Sequence, residues 1–177
     1  MKDRRSWQSR LPVRPLRGRY AITEHAIDQA ERLLPTYRGP DGNHEGILFF
    51  AGRELGDLTL YTTVIAPNAD HGPHRVHCDE HAVLEVAQEA RRRGLGLLAQ
   101  LHSHPSAWTE HSSGDDHMTL MPFEGMLSLV APHYGLQSLR PLHTLGIHQF
   151  QDGRWVACEP RSIRSQLVLV PSSIDLR

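Results

Sequence analysis

A chain of 177 residues has the length of one domain and can bury roughly two thirds of the surface its unfolded form exposes, so no metal is needed to hold it together. Its 19 Lys and Arg against 20 Asp and Glu give a formal net charge of -1, which offers no global attraction to nucleic acid or to an anionic membrane and leaves partners to be recognised locally. Cys78 and Cys158 are too few and too far apart for a disulfide framework, no run of about 18 apolar residues offers a membrane span, and the first twenty residues lack the apolar core of a secretory signal, so the expected compartment is the cytoplasm.

Residues 1–20 carry six arginines and Lys2, the only lysine of the chain, and are broken by Pro12 and Pro15. They read as a basic, partly disordered leader, with the domain proper over 21–160. Thr23 caps a helix with Ala26, Ile27, Ala30 and Leu33 on its inner face, stopping near Pro35. A loop rich in Gly, Pro, Asp and Asn from Arg38 to His44 leads to a strand from Gly46 to Ala51, and another strand from Leu58 to Ile65 ends at Pro67-Asn68. The clearest helix runs from Asp79 to Arg93: an Asp cap, apolar Ala82, Val83, Val86, Ala87 and Ala90, three arginines in the last turn and Gly94 as a stop. It feeds Leu95 to Leu101, an apolar run of buried-strand type. After a helical turn opening at Ser112, Met126 to Ala131 and Leu142 to Phe150 read as strands, the second turning at Gln151-Asp152-Gly153-Arg154 toward Trp155 to Cys158. The tail, 161–177, holds a short apolar run, Leu167 to Val170, suited to an added edge strand or a partner-binding strip. Such alternation predicts an α/β domain, a mixed sheet sandwiched by helices.

The most informative stretch is His102-Ser103-His104-Pro105, followed by Ser112 and Asp115. Two imidazoles separated by one residue on an extended segment point to the same side, and Pro105 ends the strand where they are needed. Ser112 and Asp115 are three residues apart and share one face of a helical turn, whereas Asp116 points about 100° away. Two neutral nitrogens and a carboxylate leave a fourth tetrahedral position for water, the pattern of a catalytic zinc site. Each piece also has a plainer reading: Ser112 and Asp115 suit a reciprocally capped helix start, and the histidines a surface pair. Five fixed residue types coincide by chance on the order of once per million start positions, so the joint pattern favours the metal. Glu45 heads the apolar run from Ile47 to Phe50, a position where desolvation raises a carboxyl toward the range useful for proton transfer. Among the other histidines, His71, His74, His77, His81, His111 and His117, the pair His77 and His81 is spaced for a second ion, with solvated or capping roles as the plainer reading.

The run His102-x-His104-Pro105-x6-Ser112-x-x-Asp115 resembles the JAMM motif of the MPN (Mov34/JAB) metalloprotease family in its prokaryotic JAB-domain form. Glu45, seven residues before Gly52, fits the glutamate that this family places at the start of a buried strand; Leu48 stands where a glycine is common. The resemblance implies a cytidine-deaminase-like MPN fold, one zinc ion with a bound water, and an isopeptidase acting on a ubiquitin-like protein or its conjugate. Activating or conjugating enzymes of the same pathway are further implied partners. Glu45 would then move the proton and Ser112 would donate to the oxyanion. Trp108 is the candidate for shaping the substrate's approach. Three rival readings compete with this one: a zinc amidase for small molecules or peptides, which shares every catalytic residue; a non-catalytic MPN scaffold, which would not need the ligand set; and a nucleobase deaminase, whose Pro-Cys-x-x-Cys pair is missing here.

Overall fold

Side-chain alternation along the central strands of one mixed sheet decides what each face of the molecule carries. The computed structural model describes residues 11–118, 122–172 and 174. In chain order its elements are β1 (Val13–Arg14), β2 (Arg19–Thr23), α1 (Glu24–Leu33), a small hairpin of β3 (Arg38–Gly39) and β4 (Gly42–Asn43), the long hairpin of β5 (Ile47–Leu55) and β6 (Leu58–Ile65), and a second small hairpin of β7 (Asp70–Gly72) and β8 (Arg75–His77). There follow α2 (Glu80–Arg92), β9 (Gly96–Ser103), α3 (Ser113–Met118), β10 (Leu127–Ala131), β11 (Gly146–Gln151), β12 (Arg154–Cys158), α4 (Pro160–Gln166) and β13 (Leu167–Val170). Nine strands share the main sheet in the order β1-β12-β11-β10-β9-β5-β6-β2-β13, which puts β9 and β5 at its centre.

Both long helices start as their caps predict. The Thr23 hydroxyl accepts the Ala26 N–H at 3.2 Å, and the Asp79 carboxylate accepts the Ala82 N–H at 2.8 Å. On β5, Leu48 and Phe50 join the cluster that includes Ala26, Ile27 and Ala30 of α1, whereas Ile47 and Phe49 join Ala82 and Val86 of α2. The helices therefore cover opposite faces, as an α/β sandwich requires. On the α2 face the register sets His102 beside Ile47 and Val130, and Gln100 beside Phe49 and Ser128. Half of that face is thus apolar under α2 and the adjoining half is polar.

Gly52 is fixed by close approach. The pairing of β5 with β6 shifts register between Ala51 and Gly52, and a Cβ on Gly52 would lie 1.8 Å from the carbonyl oxygen of Leu60. Because that obstacle is backbone, Gly52→Ala is expected to cost about 1–3 kcal/mol in urea unfolding, and a smaller loss would show that the bulge can relax.

Three segments depart from the periodicity. The strand expected from Leu142 starts only at Gly146, because Leu142–Thr144 is a 3-10 turn in which the N–H and hydroxyl of Thr144 both donate to the Pro141 carbonyl, at 3.0 and 2.9 Å. Leu142 and Leu145, three apart, both enter the core, a spacing that suits a tight turn and not a strand. The strand expected to stop at Ala51 runs on to Leu55 in its hairpin with β6. Residues 11–20, within the stretch read as a leader, supply β1, which pairs in parallel with β12, the buried Leu16, and the start of β2. Arg14 and Arg17 there close on Asp152 at 2.7 and 2.9 Å. Residues 1–10 lie outside the described residues. In the tail, Leu167–Val170 forms β13 beside β2. Among the described residues no helix is long and apolar enough to cross a membrane.

Candidate metal centre

β9 delivers the two histidines to the middle of the sheet. His102 is its penultimate residue and is fully buried, while His104 lies just past its end. The backbone stays tied to the sheet there, because the His104 N–H donates to the Ala131 carbonyl at 2.8 Å. Nδ1 of His104 lies 3.0 Å from the Trp108 carbonyl, and the two rings stack at 5.0 Å and 13°. A hydrogen on Nδ1 then donates to that carbonyl and leaves the Nε2 lone pair facing the centre. His102 makes its polar contacts through Nε2, its buried Nδ1 having no partner.

Asp115 sits in the first turn of α3. The Ser112 N–H donates to Asp115 Oδ2 at 2.6 Å, and the Asp115 N–H donates to Ser112 Oγ at 3.2 Å. The reciprocal cap, the plainer reading of this pair, is thus present together with the ligand geometry, and it serves that geometry by fixing the carboxylate.

His102 Nε2 lies 3.2 Å from His104 Nε2 and 3.4 Å from Asp115 Oδ1; His104 Nε2 lies 3.2 Å from Asp115 Oδ2. Ligands about 2.0–2.1 Å from a tetrahedral zinc are separated by about 3.3–3.4 Å, so these three edges fit one face of such a tetrahedron. Among the described residues this is the one group of three His, Cys, Asp or Glu side chains whose ligand atoms converge. Burial alone would raise the Asp115 carboxyl, but the charges and hydrogen bonds of His102 and His104 outweigh it and hold it well below the ordinary carboxylate range. Burial likewise works to lower His104, and its hydrogen bond and attraction to Asp115 reverse the direction.

Glu45 precedes β5 and is anchored on two sides. Its N–H donates to the Gly72 carbonyl at 2.9 Å, and the neighbouring Gly46 N–H donates to Ser103 Oγ at 2.9 Å. Its carboxyl opens onto a cleft of about 590 Å³ shared with His104, Ser112 and Asp115 and lined also by Trp108, His74 and His77. Burial pushes the Glu45 carboxyl up to about 7, with Asp115 adding to the rise and His104 opposing it. All five residues expected at the centre, Glu45, His102, His104, Ser112 and Asp115, are therefore brought together, and Trp108 lies beside them.

The remaining histidines do other work. His81 is exposed beside Glu85, and His77 lines the cleft. His44 Nδ1 lies 2.7 Å from His71 Nδ1, and its Nε2 lies 2.6 Å from Asp41. The side chain of His117 lies outside the described residues. His111 is fully buried, where burial pushes it down to about 3, and its Nδ1 lies 3.0 Å from Asp116. Asp116 is thus turned to His111 and away from the ligands, as its helical offset predicts.

A left-handed turn not anticipated from sequence braces the loop after β9. His133 and Tyr134 take φ of 53° and 58°, and their N–H groups donate to the carbonyls of Ser106 and His104 at 3.0 and 2.7 Å. Left-handed conformations at non-glycine residues cost on the order of 1 kcal/mol or more each, so these bonds hold a strained brace. The Tyr134 hydroxyl donates to the Pro73 carbonyl at 3.0 Å and pins the β7–β8 hairpin, whose Gly72 carbonyl holds Glu45. Tyr134→Phe is expected to speed amide exchange at Glu45 about fivefold, the effect of losing a hydrogen bond of about 1 kcal/mol. An unchanged Glu45 amide in hydrogen-exchange measurements would show that the hairpin is held elsewhere.

Comparison with known proteins places the chain in a family. The model of a family described as prokaryotic homologs of the JAB domain matches residues 40–142, more than half of the chain and all of the centre. A protein of Sinorhizobium fredii named probable metalloprotease y4jG is 26% identical over 136 residues, covering 73% of this chain and 81% of that protein. Protein DSY2949 of Desulfitobacterium hafniense, solved in solution, shares the fold with a TM-score of 0.63 at 17% identity, over 86% of this chain and 94% of its own. AF2198 of Archaeoglobus fulgidus, described as a JAB1/MPN domain protein, superposes with a TM-score of 0.45 at 16% identity, over 85% of this chain and 96% of its own. The chain belongs to the family of prokaryotic homologues of the JAB domain.

Proposed function

We propose that the protein is a zinc-dependent peptidase that hydrolyses the amide or isopeptide bond following the C-terminal tail of a ubiquitin-like protein. The observation that carries the hydrolase reading is the three-ligand face at 3.2, 3.2 and 3.4 Å. Beside it, in one cleft, stands a carboxyl raised to about 7.

His102, His104 and Asp115 would hold the zinc ion, which when bound would supply a Lewis acid for water and for the scissile carbonyl. Glu45, whose carboxyl burial pushes up toward neutrality, is placed to accept the proton of the attacking water. The new C–O bond forms as the carbonyl carbon becomes tetrahedral. Ser112 Oγ accepts the Asp115 N–H, so its own hydrogen is free to donate to the carbonyl oxygen as charge develops there. Glu45 then returns the proton to the amine, the C–N bond breaks, and acid and amine leave.

The substrate class rests on the family resemblance and on the size of the cleft. About 590 Å³ is the scale of a small-molecule site, enough for a few residues of peptide and not for a folded domain. A substrate protein must keep its globular part outside and present a slender tail. We place this activity in the cytoplasm, where the buried free thiols of Cys78 and Cys158 stay reduced and where enzymes that activate or conjugate the same modifier would act on shared substrates.

The test is cleavage by the zinc-loaded chain of ubiquitin-like proteins fused through their tails to a reporter, set beside the tail peptides alone. Cleavage at the tail with kcat/KM at least about tenfold higher for the whole fusion is expected, because remote binding energy is lost with the globular part. Cutting of short peptides with every fusion and isopeptide conjugate left intact would replace this reading with a small-peptide amidase.

A further inference from the structure

We propose that His111 is a positioning residue of the metal centre, a buried imidazole that fixes the turn carrying Ser112 and Asp115 to the sheet through Ser128 and Gln100. This rests on the assignment of His102, His104 and Asp115 as ligands.

The turn needs outside support. The described part of α3, Ser113–Met118, contains Gly114, a residue unfavourable inside a helix. The segment between His104 and Ser112 contains no helix or strand, so no regular element on that side fixes Asp115. The ligand distances nevertheless demand that its carboxylate stay within a few tenths of an ångström of its place.

His111 and Asp116 bracket the two functional residues in sequence, and the bracket is closed in space. His111 Nδ1 lies 3.0 Å from Asp116 Oδ1, and its Nε2 lies 2.9 Å from Ser128 Oγ. Ser128 in turn accepts from the Gln100 amide at 3.0 Å, across the β9–β10 pair in which the two residues are in register. The directions agree along the whole chain of bonds. The Gln100 amide donates to Ser128 Oγ, the Ser128 hydroxyl donates to Nε2, and the Nδ1 hydrogen goes to Asp116, so a neutral ring satisfies every partner.

The seat for this ring is written into the sheet. Gln100, Ser128 and His148 are cross-strand neighbours on β9, β10 and β11, and all three are buried. They lie on the face that carries His102. The His111 ring stacks on His148 at 3.9 Å and 27° and meets Trp155 edge-on at 5.3 Å. It also lies 5.8 Å from the ring of His102. A buried polar row is costly without partners, and seating His111 beneath the Asp115 turn supplies partners while fixing the ligand's position.

The experiment uses the full chain with zinc and cobalt(II) as probes. Zinc affinity is measured by chelator competition, and ligand geometry from the visible spectrum of bound cobalt, for His111→Phe, Ser128→Ala and the double variant. Folding of each metal-free variant is checked by circular dichroism. His111→Phe is expected to weaken zinc about 10–100-fold and to alter the cobalt spectrum, Ser128→Ala to do so to a smaller degree, and the double variant to be no worse than His111→Phe. That non-additivity, seen in metal geometry, is what a merely space-filling role would not produce. Should His111→Phe fail to fold, Ser128→Ala decides alone. Folded variants with wild-type zinc affinity and cobalt spectrum would overturn the positioning role while leaving the ligands assigned. A wild-type chain that binds neither metal would overturn the ligand assignment first, and this inference with it.

Discussion

Glu45→Gln is expected to leave zinc stoichiometry at one per chain while lowering kcat by about two to four powers of ten, the usual worth of a positioned proton-transfer group. The two effects separate because Glu45 opens onto the cleft without belonging to the converging ligand trio. The same substitution is expected to stabilise the metal-free protein, with a sign that follows from the raised carboxyl. Its folded value of about 7 exceeds the ordinary 4.5, so the folded state prefers the proton, and the stability tied to Glu45 is fully present below about 4.5 and lost as pH rises through about 7. Glutamine never ionises. Against it the wild type should therefore fall behind between those pH values and stay behind at pH 8, by on the order of 1–2 kcal/mol after allowing for solvent screening of a partly exposed group. Urea unfolding of both metal-free proteins at pH 4 and pH 8 checks this, alongside zinc content and peptide cleavage. Loss of zinc on Glu45→Gln would make Glu45 a ligand and remove the proton-transfer role.

Much of the centre was legible because its signals are local. A strand ending in His102-x-His104-Pro105 fixes two side chains on one side by period alone, and a Ser three residues before an Asp fixes a capped turn. The helix caps at Thr23 and Asp79 and the β11–β12 turn, with Asp152 and Gly153 at φ of 53° and 76°, were readable for the same reason. What escaped notice depends on contacts between distant segments. Leu142 and Leu145 fit an apolar strand until the Pro141 carbonyl captures Thr144 and makes a turn. Residues 11–20 look like a basic, solvated stretch because the partners that neutralise Arg14 and Arg17 lie more than 130 residues away at Asp152. His111 is one of 13 histidines in the sequence, and only the strand register that aligns Gln100, Ser128 and His148 distinguishes it. Polar residues breaking apolar strand runs at those three positions were the available clue, since a buried polar group needs a partner.

Asp115→Asn is expected to weaken zinc binding by at least about a hundredfold, more than the 10–100-fold typical of losing an outer partner, because it removes the only anionic ligand while nearly preserving shape. The asparagine oxygen can still accept the Ser112 N–H, so the turn should survive and the loss should reflect charge. Without metal, the wild-type carboxylate is held ionised by His102 and His104, and His104 is raised in exchange. A depressed acid contributes stability above its ordinary value, near 3.8, and a raised imidazole contributes it below the ordinary 6.5. The pair therefore stabilises the metal-free fold most between those limits. Asp115→Asn should cost about 3 kcal/mol or more near pH 5, as the loss of one partner of a buried charge pair does, and progressively less as pH rises beyond 6.5 through the raised value of His104. Glu45→Gln moves the opposite way, stabilising the apo protein chiefly at and above pH 7. The cleft thus carries one carboxylate that the fold favours in its charged form and one that it disfavours, the division expected if Asp115 is the ligand and Glu45 moves the proton. If Asp115→Asn kept wild-type zinc affinity, or if both substitutions shifted apo stability in the same direction across this pH range, that division of labour would be wrong.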